Sequence, residues 1–160
     1  MQIIGHRGAR GEAPENTLGG FRYLHGLGIR AVEFDVRQLK DGQLVVIHDD
    51  DFVRTTGRAQ HVESCDLSEA QQFDHRHQWQ HWTFEEYTPS LPHVLECLTD
   101  FDHIEVEIKA VADEAAAERL IEQLHQDLKG FETSATITSF DVKILAALQH
   151  IRSHYKRGLL

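Results

Sequence analysis

Cysteine is scarce in this sequence: two among 160 residues, Cys65 and Cys97, in unrelated contexts. A disulfide framework is therefore excluded as the basis of the fold, and reduced thiols are expected. Proline occurs only three times and 41% of the residues are hydrophobic, which fits neither a disordered nor a fibrous chain. No apolar run approaches the roughly 18–20 residues needed to cross a bilayer, so no transmembrane segment is expected. The N-terminus also lacks the charged segment and apolar stretch of an export signal: Met1 leads straight into Gln2-Ile3-Ile4-Gly5, which reads as a strand. A cytoplasmic location is the expectation. Positive charge is in the minority, 16 Lys and Arg against 26 Asp and Glu, for a formal charge of −10. Nucleic acid is a poor match as a partner, because its phosphates demand a basic stripe. An anionic small-molecule substrate would need something local to reverse that field, and a bound cation is the obvious candidate.

What is present is a length suited to one domain with a real core, built from short apolar strands alternating with amphipathic helices. That alternation is the signature of βαβ units and a parallel α/β sheet. Strands are predicted near 2–5, 31–37, 103–109, 135–139 and 156–160. The clearest helix follows Asp113, a plausible N-cap, with Ala117, Leu120, Ile121, Leu124 and Leu128 at helical spacing and Gly130 placed for a left-handed C-terminal residue. A second follows Asp141, a third lies within 16–27, and a fourth within 91–98. Asp41-Gly42 is a turn signal ahead of Leu44-Val45-Val46-Ile47, so the second strand should double back as a hairpin. Residues 50–88 then form a polar excursion too long for an ordinary connection. No internal repeat or low-complexity tract is visible.

Alternation along Val32-Glu33-Phe34-Asp35-Val36-Arg37 sets Glu33, Asp35 and Arg37 on one face, and along 104–109 it does the same for Glu105, Glu107 and Lys109. Strands of a covered parallel sheet should read as nearly continuous apolar runs; these two aim charge at one side. Gathering buried carboxylates is costly and drives their pKa values up. A divalent cation removes the problem, and oxygen-only ligands select Mg²⁺ or Ca²⁺. The competing arrangement is an ion-pair network of Glu33, Asp35, Glu105 and Glu107 with Arg37 and Lys109, without a metal. His6 and His48, two of twelve histidines, each sit where a strand releases into a loop, the catalytic rim in a barrel. Imidazoles there could serve as acid and base across one phosphorus centre, and Arg7 offers a fork of donors for a phosphate.

The combination is more specific than its parts. Ile4-Gly5-His6-Arg7-Gly8, Pro14-Glu15-Asn16-Thr17, Glu33-Phe34-Asp35-Val36, Asp41-Gly42, His48-Asp49, Arg54-Thr55-Thr56-Gly57, Pro89-Ser90-Leu91 and Glu107-Ile108-Lys109 occur in an order and at spacings that resemble the glycerophosphodiester phosphodiesterase family. Ser139-Phe140-Asp141 and Gly158-Leu159-Leu160 are similar to its later strand motifs. The resemblance runs over essentially the whole chain and is densest over 4–57. It implies a TIM-type (β/α) barrel, of which residues 1–160 would supply the first five βα units of about eight, with 50–88 as the insertion after the second strand. It implies one divalent cation, Mg²⁺ or Ca²⁺, on Glu33, Asp35 and Glu107. His6 and His48 would then be acid and base, with Arg7, Glu15, Asn16 and Lys109 on the substrate side. The implied reaction releases glycerol 3-phosphate and an alcohol, the substrate's own glycerol hydroxyl attacking phosphorus and water then opening a cyclic phosphate.

Two departures from that pattern stand out. Glu105 occupies a position where a neutral residue is common, as a lower-layer partner of Lys109 or Arg37 or as a fourth carboxylate at the metal. The family's later Trp-containing strand motif is also absent. The natural sequence is therefore expected to continue by about three βα units, the alternative being two copies associating through open barrel edges. The other functional readings are lysophospholipase D-type hydrolysis on the same fold and a non-catalytic barrel fragment acting as a binding or assembly module. In the excursion, His75, His77 and His81 are expected in a solvated loop rather than a second metal site. Phe73, Trp79, Trp82, Phe84 and Tyr87 either line an apolar leaving-group pocket or pack the insertion.

Overall fold

The structure is a computed structural model that describes residues 2–160. Its elements run β1 (Gly5–His6), α1 (Leu18–Gly26), β2 (Ala31–Gln38), β3 (Leu44–Val46), α2 (Val53–Thr56), α3 (Leu67–Ala70), α4 (Leu91–Cys97), β4 (His103–Ile108), α5 (Glu114–Asp127), β5 (Ala135–Ser139), α6 (Val142–His150) and β6 (Lys156–Leu159). The parallel strands lie side by side in the order β1, β2, β4, β5, β6. β3 pairs antiparallel with the C-terminal half of β2, setting Val36 against Val46 and Gln38 against Leu44, which is the expected hairpin. Val32, Phe34 and Val36 of β2 and Ile104, Val106 and Ile108 of β4 share one core with Leu120, Ile121 and Leu124 of α5. The charged face of both strands is left for other uses.

Local chemistry explains the helix starts. The Asp113 carboxylate accepts from the Ala116 N–H at 2.8 Å. Asp141 accepts from the N–H groups of Lys143 and Val111, which caps α6 and ties it to the loop after β4. α1 begins only at Leu18, because Asn16 adopts a left-handed φ of 57° and Thr17 is the cap, its hydroxyl accepting from the Gly20 N–H. The first strand is shorter than predicted and shifted: only Gly5 and His6 have ladder partners, in Val32 and Glu33. Ile3 and Ile4, apolar enough to suggest a strand, are exposed. Apolarity proposes a strand, but a neighbouring backbone makes one. Gly5 is required where it lies, since a Cβ there would stand 2.3 Å from the Gly8 carbonyl oxygen and from Leu24.

The excursion carries its own small core. Phe52, Val62, Cys65, Ala70 and Phe73 pack with Leu39, Val45 and Ile47 of the hairpin, and the Phe52 and Phe73 rings meet edge to face at 4.9 Å. Both cysteines are free thiols. The solvated-loop expectation fails at His75, which is 3% exposed, with Nε2 2.8 Å from Thr88 Oγ1 and its ring edge-on to Phe52. Burial holds its pKa down at about 4, against an ordinary 6.5. As pH falls from 6.5 toward 4, the unfolded chain takes up a proton that the folded chain refuses. The contribution is complete above the unfolded value and is lost through that window, by up to roughly 3 kcal/mol. Urea unfolding at about pH 7.5 and about pH 4.5 checks this. In His75→Gln the stability difference between the two pH values should shrink by about 2 kcal/mol, and an unchanged difference would mean that another group titrates.

Trp82, Phe84 and Tyr87 line an apolar pocket with Leu18, Tyr23 and Pro89, on the outer side of α1. None of the predicted site residues reaches it. Among the described residues, no helix is long and apolar enough to cross a membrane.

Candidate active site

The loop leaving β1 turns through two successive left-handed residues, Arg7 with φ 52° and Gly8 with φ 80°. For a residue with a Cβ that conformation costs about 1–2 kcal/mol, and at Arg7 it is held by contacts at both ends of the residue. The backbone N–H donates to Glu33 Oε2 at 2.9 Å. The buried guanidinium donates through Nη1 to Glu15 Oε1 at 3.0 Å and sets Nε 3.2 Å from Asp35 Oδ2. Asn16, another left-handed residue of the loop, donates its amide to Asp35 Oδ2 at 2.9 Å. The strained turn thus converges on the charged face of β2.

β2 and β4 run in register with Asp35 beside Glu107. Carboxylate oxygens of Glu33, Asp35 and Glu107, all three residues buried, lie within 4.8 Å of one another. Lys109 Nζ stands 2.6 Å from Asp35 Oδ1 and also contacts Glu107 Oε1. That one ammonium does not satisfy the group. Glu33 Oε1 and Asp35 Oδ1 are both buried without a hydrogen bond, the Lys109 approach to Asp35 being an ion pair outside hydrogen-bond geometry. Burial and the neighbouring Asp35 and Glu107 charges push the Glu33 carboxyl up to about 7, against the opposing pull of the Arg7 N–H and Lys109. An all-oxygen donor set, incompletely neutralised and with free lone pairs, fits a hard divalent cation.

His6 stands at the edge of this cluster, Nε2 3.7 Å from Glu33 Oε2, with its side chain largely exposed. Burial of the ring's inner side and the charges of Arg7 and Arg10 lower its pKa below 6.5, favouring a neutral imidazole. His48 Nδ1 lies 2.7 Å from Asp49 Oδ1, and an ionised carboxylate can only accept, so the proton sits on Nδ1 and leaves Nε2 free. Arg37 is not the counter-charge of the cluster; its Nε donates to the His48 carbonyl at 2.9 Å and anchors that loop. Glu105 departs from both of its expected roles. It leans toward β5, where Thr138 Oγ1 donates to it at 3.3 Å, and toward His103. Its strand position lies one layer below Glu107, where a β5 hydroxyl is the nearer partner.

Two residues joined to the site were assigned no role from sequence. Arg54 donates Nε to Asp49 Oδ2 at 2.6 Å and spans Glu15 with Nη1 and Nη2 at 2.9 and 2.7 Å. Burial opposes ionisation of Glu15, yet the hydrogen bonds and charges of Arg54 and Arg7 outweigh it and hold the pKa at about 2. Asp49 is likewise held below the usual carboxylate range, burial being outweighed by Arg54 and His48. Their only sequence signal was membership of the His48-Asp49 and Arg54-Thr55-Thr56-Gly57 motifs; nothing in the spacing tells which carboxylate a distant arginine will meet.

The sequence model of the glycerophosphoryl diester phosphodiesterase family matches residues 6–160. A glycerophosphodiester phosphodiesterase from Caldanaerobacter subterraneus is 34% identical over 161 residues, covering 99% of this chain and 65% of its own length. Among solved structures, an Oleispira antarctica phosphodiesterase in complex with the product sn-glycerol-3-phosphate aligns with a TM-score of 0.88 at 29% identity, over 99% of this chain and 65% of that one. A glycerophosphodiester phosphodiesterase from Agrobacterium tumefaciens aligns with a TM-score of 0.82 at 28% identity, over 98% and 65%. The chain spans just under two thirds of the length of these relatives. Its parallel α/β sheet is that of their barrels, its acidic cluster lies on the charged face of β2 and β4, and the family match covers nearly every residue: the chain belongs to the glycerophosphoryl diester phosphodiesterase family.

Proposed function

We propose that this chain carries the catalytic face of a metal-dependent glycerophosphodiester phosphodiesterase, releasing glycerol 3-phosphate and an alcohol. The observation that carries the reading is the buried trio Glu33, Asp35 and Glu107, oxygens within 4.8 Å, with two of its oxygens lacking hydrogen bonds. A divalent cation held by these three would draw charge from the phosphoryl oxygens, the stabilisation that usually contributes most. Arg7 binds a phosphoryl oxygen through guanidinium donors that Glu15 and Asp35 leave unused, and Lys109 adds positive charge beside the cluster. Asn16 and Glu15 serve substrate binding by holding Asp35 and Arg7 in place. His6, kept neutral by burial and two arginines, takes the proton from the attacking glycerol hydroxyl. His48 acts in its protonated form: with Nδ1–H held on Asp49, it gives its Nε2 proton to the leaving alcohol and is left with a bare Nε2. That nitrogen takes a proton from the water that opens the cyclic phosphate, while His6 returns its proton to the glycerol oxygen. On this reading, residues 50–88 are an insertion that covers one side of the rim.

The test is release of glycerol 3-phosphate from glycerophosphocholine and glycerophosphoethanolamine, with and without EDTA. Turnover abolished by EDTA and restored by Mg²⁺ or Ca²⁺ is expected. Turnover indifferent to EDTA would sink the metal-dependent mechanism, and faster release from a long-chain lysolipid would move the substrate class to lysophospholipids.

A further inference from the structure

Arg54 belongs to the insertion rather than to the sheet, yet its three donor groups all end on residues of the site. Nε reaches Asp49, whose other oxygen lies on His48 Nδ1. Nη1 and Nη2 take both oxygens of Glu15, whose Oε1 also receives Arg7. Nitrogen groups and carboxylates alternate without a break along His48, Asp49, Arg54, Glu15, Arg7 and Asp35. We infer that Arg54 is a positioning residue that locks Asp49 onto His48 and Glu15 onto Arg7 together, so that the imidazole and the phosphate-binding guanidinium are set as one unit. The inference rests on the diesterase reading for its consequence in turnover, though not for its geometry.

The insertion is built to hold this side chain still. Phe52, at the N-terminal end of α2, is buried against Phe73, and the His77 N–H donates to the Thr55 carbonyl at the other end of the same short helix. Gly57 closes it at φ 75°. Lysine cannot replace this arginine, because one ammonium has no planar fork to span a carboxylate while also reaching a second. The Asp49 contact fixes which nitrogen of His48 carries the proton, and therefore which one faces substrate. An ordinary exposed ion pair would add little to stability and leave the imidazole tautomer alone, which separates the two roles.

The deciding measurement is the ring ¹⁵N spectrum of His48 in the whole chain, assigned by its loss in His48→Asn and recorded above about pH 8, where free imidazole is neutral. Wild type should show the proton on Nδ1. Arg54→Gln should shift the population severalfold toward the Nε2–H form, with Arg54→Lys intermediate; should Arg54→Gln lose the amide pattern of the folded core, Arg54→Lys alone decides. A His48 that keeps its Nδ1 proton in the deciding variant overturns the proposal. In glycerophosphocholine turnover, the same variants should lower kcat by about 10²-fold, the cost of a misplaced catalytic group, with KM changed less than about threefold. A change confined to KM would also overturn it. If the wild-type chain releases no glycerol 3-phosphate, the diesterase reading fails and the tautomer measurement still judges Arg54.

Discussion

Glu33→Gln should abolish divalent-cation binding while leaving the cation-free protein at least as stable as the wild type. The two effects have opposite sign because Glu33 is costly without a cation. Its carboxyl titrates at about 7, chiefly because it is buried and next because Asp35 and Glu107 repel its charge. An acid whose folded pKa is raised contributes stability that is complete below the unfolded value of 4.5 and is lost as pH rises through 7. Above that pH the wild type bears a penalty of up to roughly 3 kcal/mol, which a neutral glutamine avoids. The amide keeps an oxygen for the Arg7 N–H. A cation present at a hundred times its dissociation constant should stabilise the wild type by about 2.7 kcal/mol and the variant not at all. Calorimetric titration with Mg²⁺ and Ca²⁺, followed by urea unfolding at about pH 8, reads both effects. Wild-type cation affinity in Glu33→Gln would show that the trio is an ion-pair network around Lys109 instead.

His6→Ala and His48→Ala should each lower kcat by about 10²–10⁴-fold, the range that acid–base assistance supplies, with little change in melting temperature. The His6 side chain is mostly in solvent, and its charged contact among the described residues is a 3.7 Å approach to Glu33. His48 is one-third exposed, and among the described residues its ring bonds to Asp49 alone. Neither ring belongs to the hydrophobic core, so deletion leaves no apolar cavity behind. Rates of glycerol 3-phosphate release and thermal melts of both variants, taken side by side, distinguish chemistry from structure. A variant that keeps the wild-type kcat loses its proposed role, and a large drop in melting temperature at unchanged kcat would make that histidine a structural residue.

The sequence by itself determined the parallel α/β class, the hairpin after the second strand, the Asp113 and Asp141 helix caps, and the face of β2 and β4 that carries charge. Each is set within a few residues, by a period of two or 3.6, a turn dipeptide or a cap one turn from its target, and local geometry is enough. Alternation also put Glu33, Asp35, Glu105 and Glu107 on one side of these two strands, but choosing Glu33, Asp35 and Glu107 among the four came from the family resemblance and not from the period. Only the tertiary structure decided where Glu105 points, because a Thr138 hydroxyl on the neighbouring strand competes for it. It decided that Ile3 and Ile4 are exposed while Gly5 and His6 pair, since strand pairing needs a partner and not only a propensity. His75 looked solvated among polar neighbours and is buried, because Phe52 and Thr88 close over it from 23 residues upstream and 13 downstream. Arg54 is the clearest case. Its separation of 39 residues from Glu15 leaves no trace in any local pattern, and side-chain charge carries no address until the chain has folded and brought the two together.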